Sequence, residues 1–333
     1  MLYWIILEKN LDPTMLEFDL IRQYFSSLSK INKSSLKLND DVFFDKKRML
    51  VISTDTYNEG VHFLNFKKPD QVIKKVIRSS ISDLICKGVK PKFYFLSASG
   101  NKKSFCKKNL FAISKSLKQE QRRYNIVLSG GDTTFSNKLS FSVTSVGFSK
   151  NIIYRNNAKL NDDIYVTGNL GDSFVGLKIL KNKINLGKKI NNYFIKKYYQ
   201  PDIQINLTKQ ILRFANTSID ISDGLISDLE KMLNNKKFSY HINAYKIPIS
   251  NYLSELIKNG KHNKYKLISN GDDYQVLFTA SKDKSRIIKR SSENYGIKIT
   301  KIGKIISGNK KVSIIDEKGK QILIKNKGYI HQF

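Results

Sequence analysis

The sequence contains few of the residues that cross-link small secreted proteins through disulfides or that bind transition metals. Its 333 residues include two cysteines, four histidines and five prolines. Cys86 and Cys106 match no metal-ligand spacing, and we interpret them as reduced thiols. A disulfide scaffold, a zinc site and a proline-rich linker therefore do not explain this chain.

Long hydrophobic runs are also missing. No segment reaches the roughly 18 consecutive apolar residues of a membrane-spanning helix. The apolar residues 1–7 follow no basic residue and precede no small-residue cleavage site, so we expect no signal peptide. We therefore expect a cytoplasmic protein with no membrane partner.

Acidic residues are scarce relative to basic ones. The chain has 28 Asp and Glu against 59 Lys and Arg, a formal net charge of +31. Such a charge favours a polyanionic substrate or partner. The basic residues are dispersed and no nucleic-acid-binding motif is found, so we expect no nucleic-acid partner. A basic nucleic-acid-binding protein nevertheless stays the alternative from a different functional class.

The hydrophobic periodicity predicts helices and strands in two halves of the chain, which indicates an α/β or α+β fold in each half. A helix is predicted from Met15, with Thr14 as its N-cap, and residues 1–14 are predicted to be an extension outside the fold. The polar, aperiodic residues 154–163 mark a boundary between domains at 15–155 and 156–333. Further helices are predicted at 69–88, 107–124, 172–180 and 225–233, and strands at 49–52, 92–97, 126–128, 139–148, 163–168, 218–221 and 276–278.

The scarce carboxylates concentrate in turns where predicted strands end, beside Gly, Ser or Thr. They are Asp40, Asp41, Asp55, Asp132, Asp220, Asp223, Asp272 and Asp273. Such carboxylates suit Mg²⁺, which prefers oxygen ligands and combines one or two carboxylates with substrate phosphates. The glycines at 130–131 and 168–171 offer backbone N–H groups for phosphate, although the Walker P-loop pattern is absent. The pattern indicates a site for Mg²⁺ and a phosphorylated ligand.

Simpler roles for these residues stay open at this point. Asp223 is also a candidate cap for the helix at 225–233. Asp55 and Asp132 are also candidates for turn residues that satisfy their own backbone. His62 is as consistent with a surface loop as with contact to a ligand.

Several motifs, in order along the chain, resemble those of the thiamine-monophosphate kinases, a family of the aminoimidazole-ribonucleotide-synthetase-like superfamily. They extend over nearly the whole chain from Met15. The motifs are Ser53-Thr54-Asp55-Thr56, Glu59-Gly60-Val61-His62-Phe63, Ser82-Asp83-Leu84, Gly130-Gly131-Asp132-Thr133-Thr134, Tyr165-Val166-Thr167-Gly168, Gly171-Asp172-Ser173 and Ile219-Asp220-Ile221-Ser222-Asp223-Gly224-Leu225.

The resemblance implies a two-domain fold, a homodimer whose N-terminal sheets form a barrel, ATP as co-substrate and several Mg²⁺ ions. Its implied metal ligands are Asp41, Thr54, Asp55, Asp83, Asp132, Asp220 and Asp223. Its implied ATP-binding residues are Asp41, Ser53, Gly131, Asp132, Arg155 and Ser222. Its implied substrate-binding residues are His62, Asp272 and Asn326.

The chain departs from the family pattern at three places. Asn39 stands where the family has Gly before the paired aspartates, and Asp272 stands where it has Glu. Asn326 aligns with an aromatic residue that stacks on the substrate, and Tyr329 is a candidate replacement.

The implied reaction moves the γ-phosphoryl group of ATP to the phosphate of thiamine monophosphate, the last step of thiamine diphosphate synthesis. A phosphate monoester is mostly ionised near pH 7, so we expect no general base. Alternatives within the superfamily are a selenophosphate synthetase and an aminoimidazole ribonucleotide synthetase. The first of these has a reactive cysteine in a glycine-rich setting, and neither Cys86 nor Cys106 has such neighbours.

Overall fold

Two sheets, one from each half of the chain, carry the strands. The computed structural model describes residues 15–233, 238–260, 263–308 and 311–331, so the predicted extension at 1–14, with Thr14, lies outside the described residues. The strands are β1 Phe43–Asp45, β2 Leu50–Asn58, β3 Pro91–Gly100, β4 Val127–Phe135, β5 Ser140–Phe148, β6 Asp163–Thr167, β7 Thr217–Asp220, β8 Phe238–Asn243, β9 Val276–Ala280, β10 Ile299–Ser307 and β11 Ser313–Ile315. The α-helices are α1 Glu17–Leu20, α2 Pro69–Cys86, α3 Lys107–Tyr124, α4 Asp172–Leu180, α5 Lys188–Tyr199, α6 Thr208–Ile211, α7 Leu225–Leu233, α8 Asn251–Lys258, α9 Lys264–Ile268 and α10 Ser285–Tyr295.

The first sheet has the strand order β1-β2-β5-β3-β4. β2 pairs with β5 along its whole length, and β3 pairs in parallel with β4 through the crossover helix α3. Asp55 and Asp132 therefore lie within strands, and the prediction that they sit in turns at strand ends is wrong. The apolar runs that marked the predicted strands stop early because the rest of each strand is polar, while the backbone pairing continues.

Gly131 in β4 allows β3 and β4 to lie side by side. Its φ of +155° is unfavourable for residues with a side chain, and a Cβ atom there would lie 1.9 Å from the Leu96 carbonyl oxygen. The glycine pair is thus required by the backbone itself, whatever it binds.

The second sheet has the strand order β11-β8-β10-β6-β9-β7. Its pairs are antiparallel except for β11 with β8. Together with the first sheet this gives the mixed α/β, two-sheet architecture that the sequence predicts. The strands of the first sheet end at Phe148 and those of the second begin at Asp163, on either side of the predicted domain boundary. The boundary itself stays a prediction.

Helix α2 lies between the two sheets and explains how one site draws residues from both. It packs on β2 and β5 on one side and on β7 on the other. Because it is covered on several sides, even Lys75 and Arg78 are buried, and Arg78 pairs with Glu120 at 2.8 Å. The helix thus carries charged groups into the interior between the sheets.

Several predicted elements are confirmed. Helices α3, α4 and α7 have the predicted bounds. The helix predicted from Met15 begins at Glu17 and continues as a π-helical turn, Ile21–Phe25, while Leu16 occupies the N-cap without a capping side chain. Helix α5 was not predicted, because its lysine and asparagine residues dilute the apolar periodicity. Over the described part of the chain, no helix has the length and apolarity needed to cross a bilayer.

Candidate active site

A cavity of about 650 Å³ opens between the two sheets. Strand β2, helix α2, strand β7 and the loops that follow them form its walls. It brings together ten residues predicted from the sequence, which are Asp41, Thr54, Asp55, His62, Asp83, Arg155, Asp220, Ser222, Asp223 and Asp272. The scattered motifs therefore converge on one place.

Three carboxylates, those of Asp55, Asp83 and Asp220, form the floor of the cavity. Asp55 comes from β2, Asp83 from α2 and Asp220 from the end of β7. Ser53 donates a hydrogen bond to Asp83 at 2.5 Å, and the Ser82 hydroxyl donates to Asp220. These neutral hydroxyl groups orient the carboxylates without neutralising them.

The three carboxylates repel one another in a poorly solvated setting. Burial, and then the charge of Asp220, raises the pKa of Asp55 to about 7. Burial and the charge of Asp55 raise the pKa of Asp83 well above its usual range, and burial and Asp83 do the same to the pKa of Asp220. Nearby like charges and loss of water both disfavour the ionised form. A cation placed among them would relieve both effects.

The donor set fits Mg²⁺ when a phosphate is present. Within residues 15–233, 238–260, 263–308 and 311–331, none of the three carboxylates has a Lys, Arg or His ion-pair partner. Nor is any group of three or more His, Cys, Asp or Glu side chains in those ranges arranged to hold a metal ion alone. These side chains would therefore hold Mg²⁺ only together with other ligands, such as the substrate phosphates and water that Mg²⁺ uses in proteins.

A second pair of carboxylates, Asp40 and Asp41, stands at another wall of the cavity and is already neutralised. Lys87 lies 2.8 Å from Asp40 and 2.7 Å from Asp41, and Arg155 lies 2.7 Å from Asp41. Despite burial, which alone would raise it, Lys87 and Arg155 hold the pKa of Asp41 well below its usual range. Asp41 is therefore ionised whether or not a metal is bound.

Asp223 is also paired with a lysine. Lys231 lies 2.5 Å from Asp223 and 2.8 Å from Asp228. The carboxylate of Asp228, not that of Asp223, accepts the backbone N–H groups of Asp223 and Gly224 ahead of α7. Capping of α7 is therefore not the role of the Asp223 side chain, which lines the cavity with Lys231.

The opposite end of the cavity is aromatic and includes the C-terminal segment. His62, Asp272, Tyr329 and His331 line it. The imidazole rings of His62 and His331 lie 5.6 Å apart, and the rings of Tyr329 and His331 meet edge to face at 4.9 Å. Burial, followed by the charge of His331, lowers the pKa of His62 to about 4, so His62 is neutral at pH 7.

The buried Lys75 pairs with Asp272, which lines this end of the cavity. Its ammonium group lies 2.9 Å from Asp272 and 3.7 Å from the centre of the Tyr198 ring. Burial lowers the pKa of Lys75, while Asp272 opposes the decrease. Asp272 has a φ of +62°, a left-handed backbone conformation that is uncommon for residues other than glycine.

Four predicted site residues lie outside the cavity lining. Ser53 is buried one layer behind it, where it contacts Asp83. Gly131 and Asp132 are on β4, three strands from β2 in the same sheet, and are exposed. The amide of Asn326 donates to the side-chain oxygen of Asn270 at 3.3 Å. The cavity of this single chain is thus assembled without these four side chains.

Sequence reasoning missed the lysines of the site. Lys75, Lys87 and Lys231 stand among many surface lysines, and nothing in their spacing distinguishes them. One usable signal exists for Lys231, which follows Asp228 by three residues on a helix, where side chains meet. Lys87 directly follows the helix that carries Asp83, but the sequence does not show that this helix end is buried.

Comparisons with known proteins agree with this arrangement. Residues 39–149 match the family model for the AIR synthase related protein, N-terminal domain. The chain is 38% identical over 322 residues to a thiamine-monophosphate kinase of Buchnera aphidicola subsp. Schizaphis graminum, covering 95% of this chain and 98% of that protein. It is 35% identical over 325 residues to the thiamine-monophosphate kinase of Buchnera aphidicola subsp. Acyrthosiphon pisum, with the same coverage. Its fold matches a solved structure of AaThiL complexed with AMPPCP and TMP at a TM-score of 0.81 and 28% identity, covering 95% of this chain and 97% of that one.

Proposed function

The chain belongs to the thiamine-monophosphate kinase family, and from this premise we propose how its cavity phosphorylates thiamine monophosphate with ATP. The activity is ATP-dependent transfer of a phosphoryl group to thiamine monophosphate, as in the relatives. The observation that carries the assignment of the reacting centre is the cluster of Asp55, Asp83 and Asp220, three carboxylates that line the cavity and have no Lys, Arg or His ion-pair partner in the described part of the chain.

We propose that these three carboxylates hold Mg²⁺ together with the ATP phosphates. When bound, Mg²⁺ supplies charge neutralisation and a template for in-line transfer. The chain's own contribution is to keep the three carboxylates close together before the ligand arrives. Ser53 and Ser82 fix two of them through hydrogen bonds. Thr54 lies beside Asp55 in β2 and also lines the cavity.

The main obstacle to this reaction is repulsion between two phosphate-bearing anions. Two unit charges 4 Å apart repel by about 4 kcal/mol at an effective dielectric constant of 20. Arg155 and Lys231 line the cavity, but each is already paired with an aspartate, so we propose that bound Mg²⁺ provides most of the relief from this repulsion. We propose that Arg155 and Ser222 lie beside the nucleotide.

No residue needs to act as general base. The attacking atom is an oxygen of a phosphate monoester, which is already ionised near pH 7. His62 does not fill that role, because its Nδ1 accepts the backbone N–H of Asn58 at 3.0 Å and its proton is then on Nε2. We propose that His62 contacts the thiamine moiety as a neutral donor.

We propose that the aromatic end of the cavity binds the thiamine rings. Tyr329 lines the cavity and is half exposed, so its ring face is available, whereas the Asn326 amide contacts Asn270. Asp272, held by Lys75, offers a carboxylate to the same space. The substrate-binding roles of Asp272, His62 and Asn326 stay predictions, and we add Tyr329 as the stacking residue.

We further propose that the protein is a homodimer in which β4 faces the partner. All residues of β4 are exposed in the single chain, including Val127, Leu128 and Phe135. An apolar, unprotected edge strand is a site for pairing with another chain. Gly131 and Asp132 lie on this strand, away from the chain's own cavity, so we propose that they complete the nucleotide site of the partner subunit.

We also propose a cytoplasmic location. ATP is the co-substrate of the relatives' activity, and Cys86 and Cys106 are both free thiols, as expected in a reducing compartment.

The test is direct. The purified chain is mixed with ATP, Mg²⁺ and thiamine monophosphate, and the products are separated by chromatography. Thiamine diphosphate and ADP are expected in equal amounts, and Asp220→Asn should reduce turnover by about a hundredfold or more, as for loss of one charge-stabilising group. Normal turnover by Asp220→Asn, compared with the exposed control Asp283→Asn, would remove Asp220 from the reacting centre.

A further inference from the structure

The ammonium group of Lys87 is completely enclosed at the wall of the active-site cavity. Its side chain is 0% exposed and lies directly after the end of α2. It donates a hydrogen bond to the Ser218 carbonyl oxygen at 3.0 Å, and it lies 2.8 Å from Asp40 Oδ1 and 2.7 Å from Asp41 Oδ2. The ammonium group therefore donates to Ser218 and forms ion pairs with both aspartates, so its charge is compensated within the protein.

Asp41 has a buried cation on each side. Its Oδ2 faces Lys87, and its Oδ1 lies 2.7 Å from Arg155 Nη1. Arg155 is itself buried and is tied to the same loop, because its backbone N–H donates to Asp40 Oδ2 at 2.8 Å. Two carboxylates and two cations thus form a neutral cluster. In the nearby trio of Asp55, Asp83 and Asp220, no carboxylate forms an ion pair with a described residue, although the charge of Lys87 reaches Asp83.

We propose that Lys87 is a built-in cation that occupies the place of a metal ion at Asp41, so that Asp41 is a positioning residue and not a Mg²⁺ ligand in this chain. The metal ions are then held by Asp55, Asp83 and Asp220 with the nucleotide. Asp41 anchors Arg155 and links the 39–41 loop to the end of α2. This inference rests on the proposed function only in its choice of nucleotide as the probe.

Electrostatics supports this exclusion of metal from Asp41. A divalent ion bound there would lie close to two buried cations and would be repelled by both. Displacing Lys87 instead would leave an ammonium group buried without its partners, which is strongly unfavourable. A metal ion at the trio would displace no buried cation from an ion pair, and it would relieve the mutual repulsion of the three carboxylates.

The experiment counts Mn²⁺ ions bound to the full chain in the presence of AMPPCP, by electron paramagnetic resonance of free Mn²⁺. Asp41→Asn in the otherwise native chain should leave the count unchanged. Lys87→Met should bind one more Mn²⁺ per chain, and the double variant Lys87→Met/Asp41→Asn should return to the native count. Lys87→Arg, which keeps the charge, is the matched control and should also show the native count. Asp55→Asn is the positive control for loss of an ion.

The results separate the inference from the proposed function. Loss of one Mn²⁺ in Asp41→Asn would show that Asp41 is a ligand and overturn the inference. A folded Lys87→Met variant with the native count would overturn it as well. If Lys87→Met does not fold, the Asp41→Asn count decides alone. A native chain that binds no Mn²⁺ with AMPPCP would contradict the proposed function, which requires metal ions bound with the nucleotide. The inference is separate, because it concerns only which carboxylates hold those ions.

Discussion

Replacing Asp55 with asparagine should stabilise the metal-free protein while it abolishes activity. Burial and Asp220 raise the pKa of Asp55 to about 7 from the ordinary value of 3.8. At about 1.4 kcal/mol per pKa unit, ionising Asp55 in the folded state costs at most about 4 kcal/mol. Part of this cost is repulsion that Asp55 shares with the neighbouring carboxylates. We therefore expect Asp55→Asn to raise the free energy of unfolding by about 2 kcal/mol.

The sign of the pH dependence follows from linkage. A carboxyl group whose pKa is higher in the folded than in the unfolded state makes the folded state less stable as pH rises from about 4 to about 7. Above pH 7 the penalty is complete and constant. The advantage of Asp55→Asn should therefore be largest at pH 8 and smaller at pH 5.

The assay is thermal unfolding in EDTA at pH 5 and pH 8, followed by circular dichroism. A gain of about 2 kcal/mol corresponds to a rise in Tm of roughly 2 to 5 °C for a chain of this size. Mg²⁺ with AMPPCP should raise the Tm of the native protein more than that of Asp55→Asn. The exposed Asp283→Asn should show neither effect. An Asp55→Asn variant that is less stable than the native protein at pH 8 in EDTA would refute the reasoning.

Three further predictions concern the thiamine end of the cavity. Lys75→Met breaks a buried ion pair with Asp272 and should lower the free energy of unfolding by about 3 kcal/mol in urea titrations; a change as small as that of Lys74→Met would contradict the role of the pair. Tyr329→Ala should raise the KM for thiamine monophosphate about threefold to tenfold and leave the KM for ATP unchanged, as for loss of an aromatic stacking contact; an effect confined to ATP would argue against stacking on thiamine. The dependence of kcat on pH between 6 and 8 should be the same in the native protein and His62→Ala, because burial and His331 lower the pKa of His62 to about 4. An ionisation near pH 7 that disappears in His62→Ala would show that His62 acts as a general base.

The sequence was sufficient to single out three carboxylates that line the cavity, Asp55, Asp83 and Asp220. Each stands in a short polar motif next to apolar residues, a contrast that the sequence alone shows. The same contrast predicted helices α3, α4 and α7 with their bounds. It failed within β2 and β4, because a strand that is polar on one face loses its apolar run before its hydrogen bonding ends.

The charge balance of the site was not predictable from the sequence. Lys87 and Lys75 look like the other lysines of a chain with a net charge of +31, and only the fold shows that they are buried. Their burial depends on α2 lying between two sheets, a long-range arrangement that local periodicity does not encode. The exposure of Asp132 on β4 has the same origin, since it depends on which strand ends the sheet.

The most direct test of the proposed metal-binding centre is a crystal structure with Mn²⁺ and AMPPCP, measured for anomalous scattering. We expect Mn²⁺ peaks within coordination distance of Asp55, Asp83 or Asp220 and of the nucleotide phosphates, and no peak at Asp41. Mn²⁺ peaks on the nucleotide that touch none of those three carboxylates would contradict it.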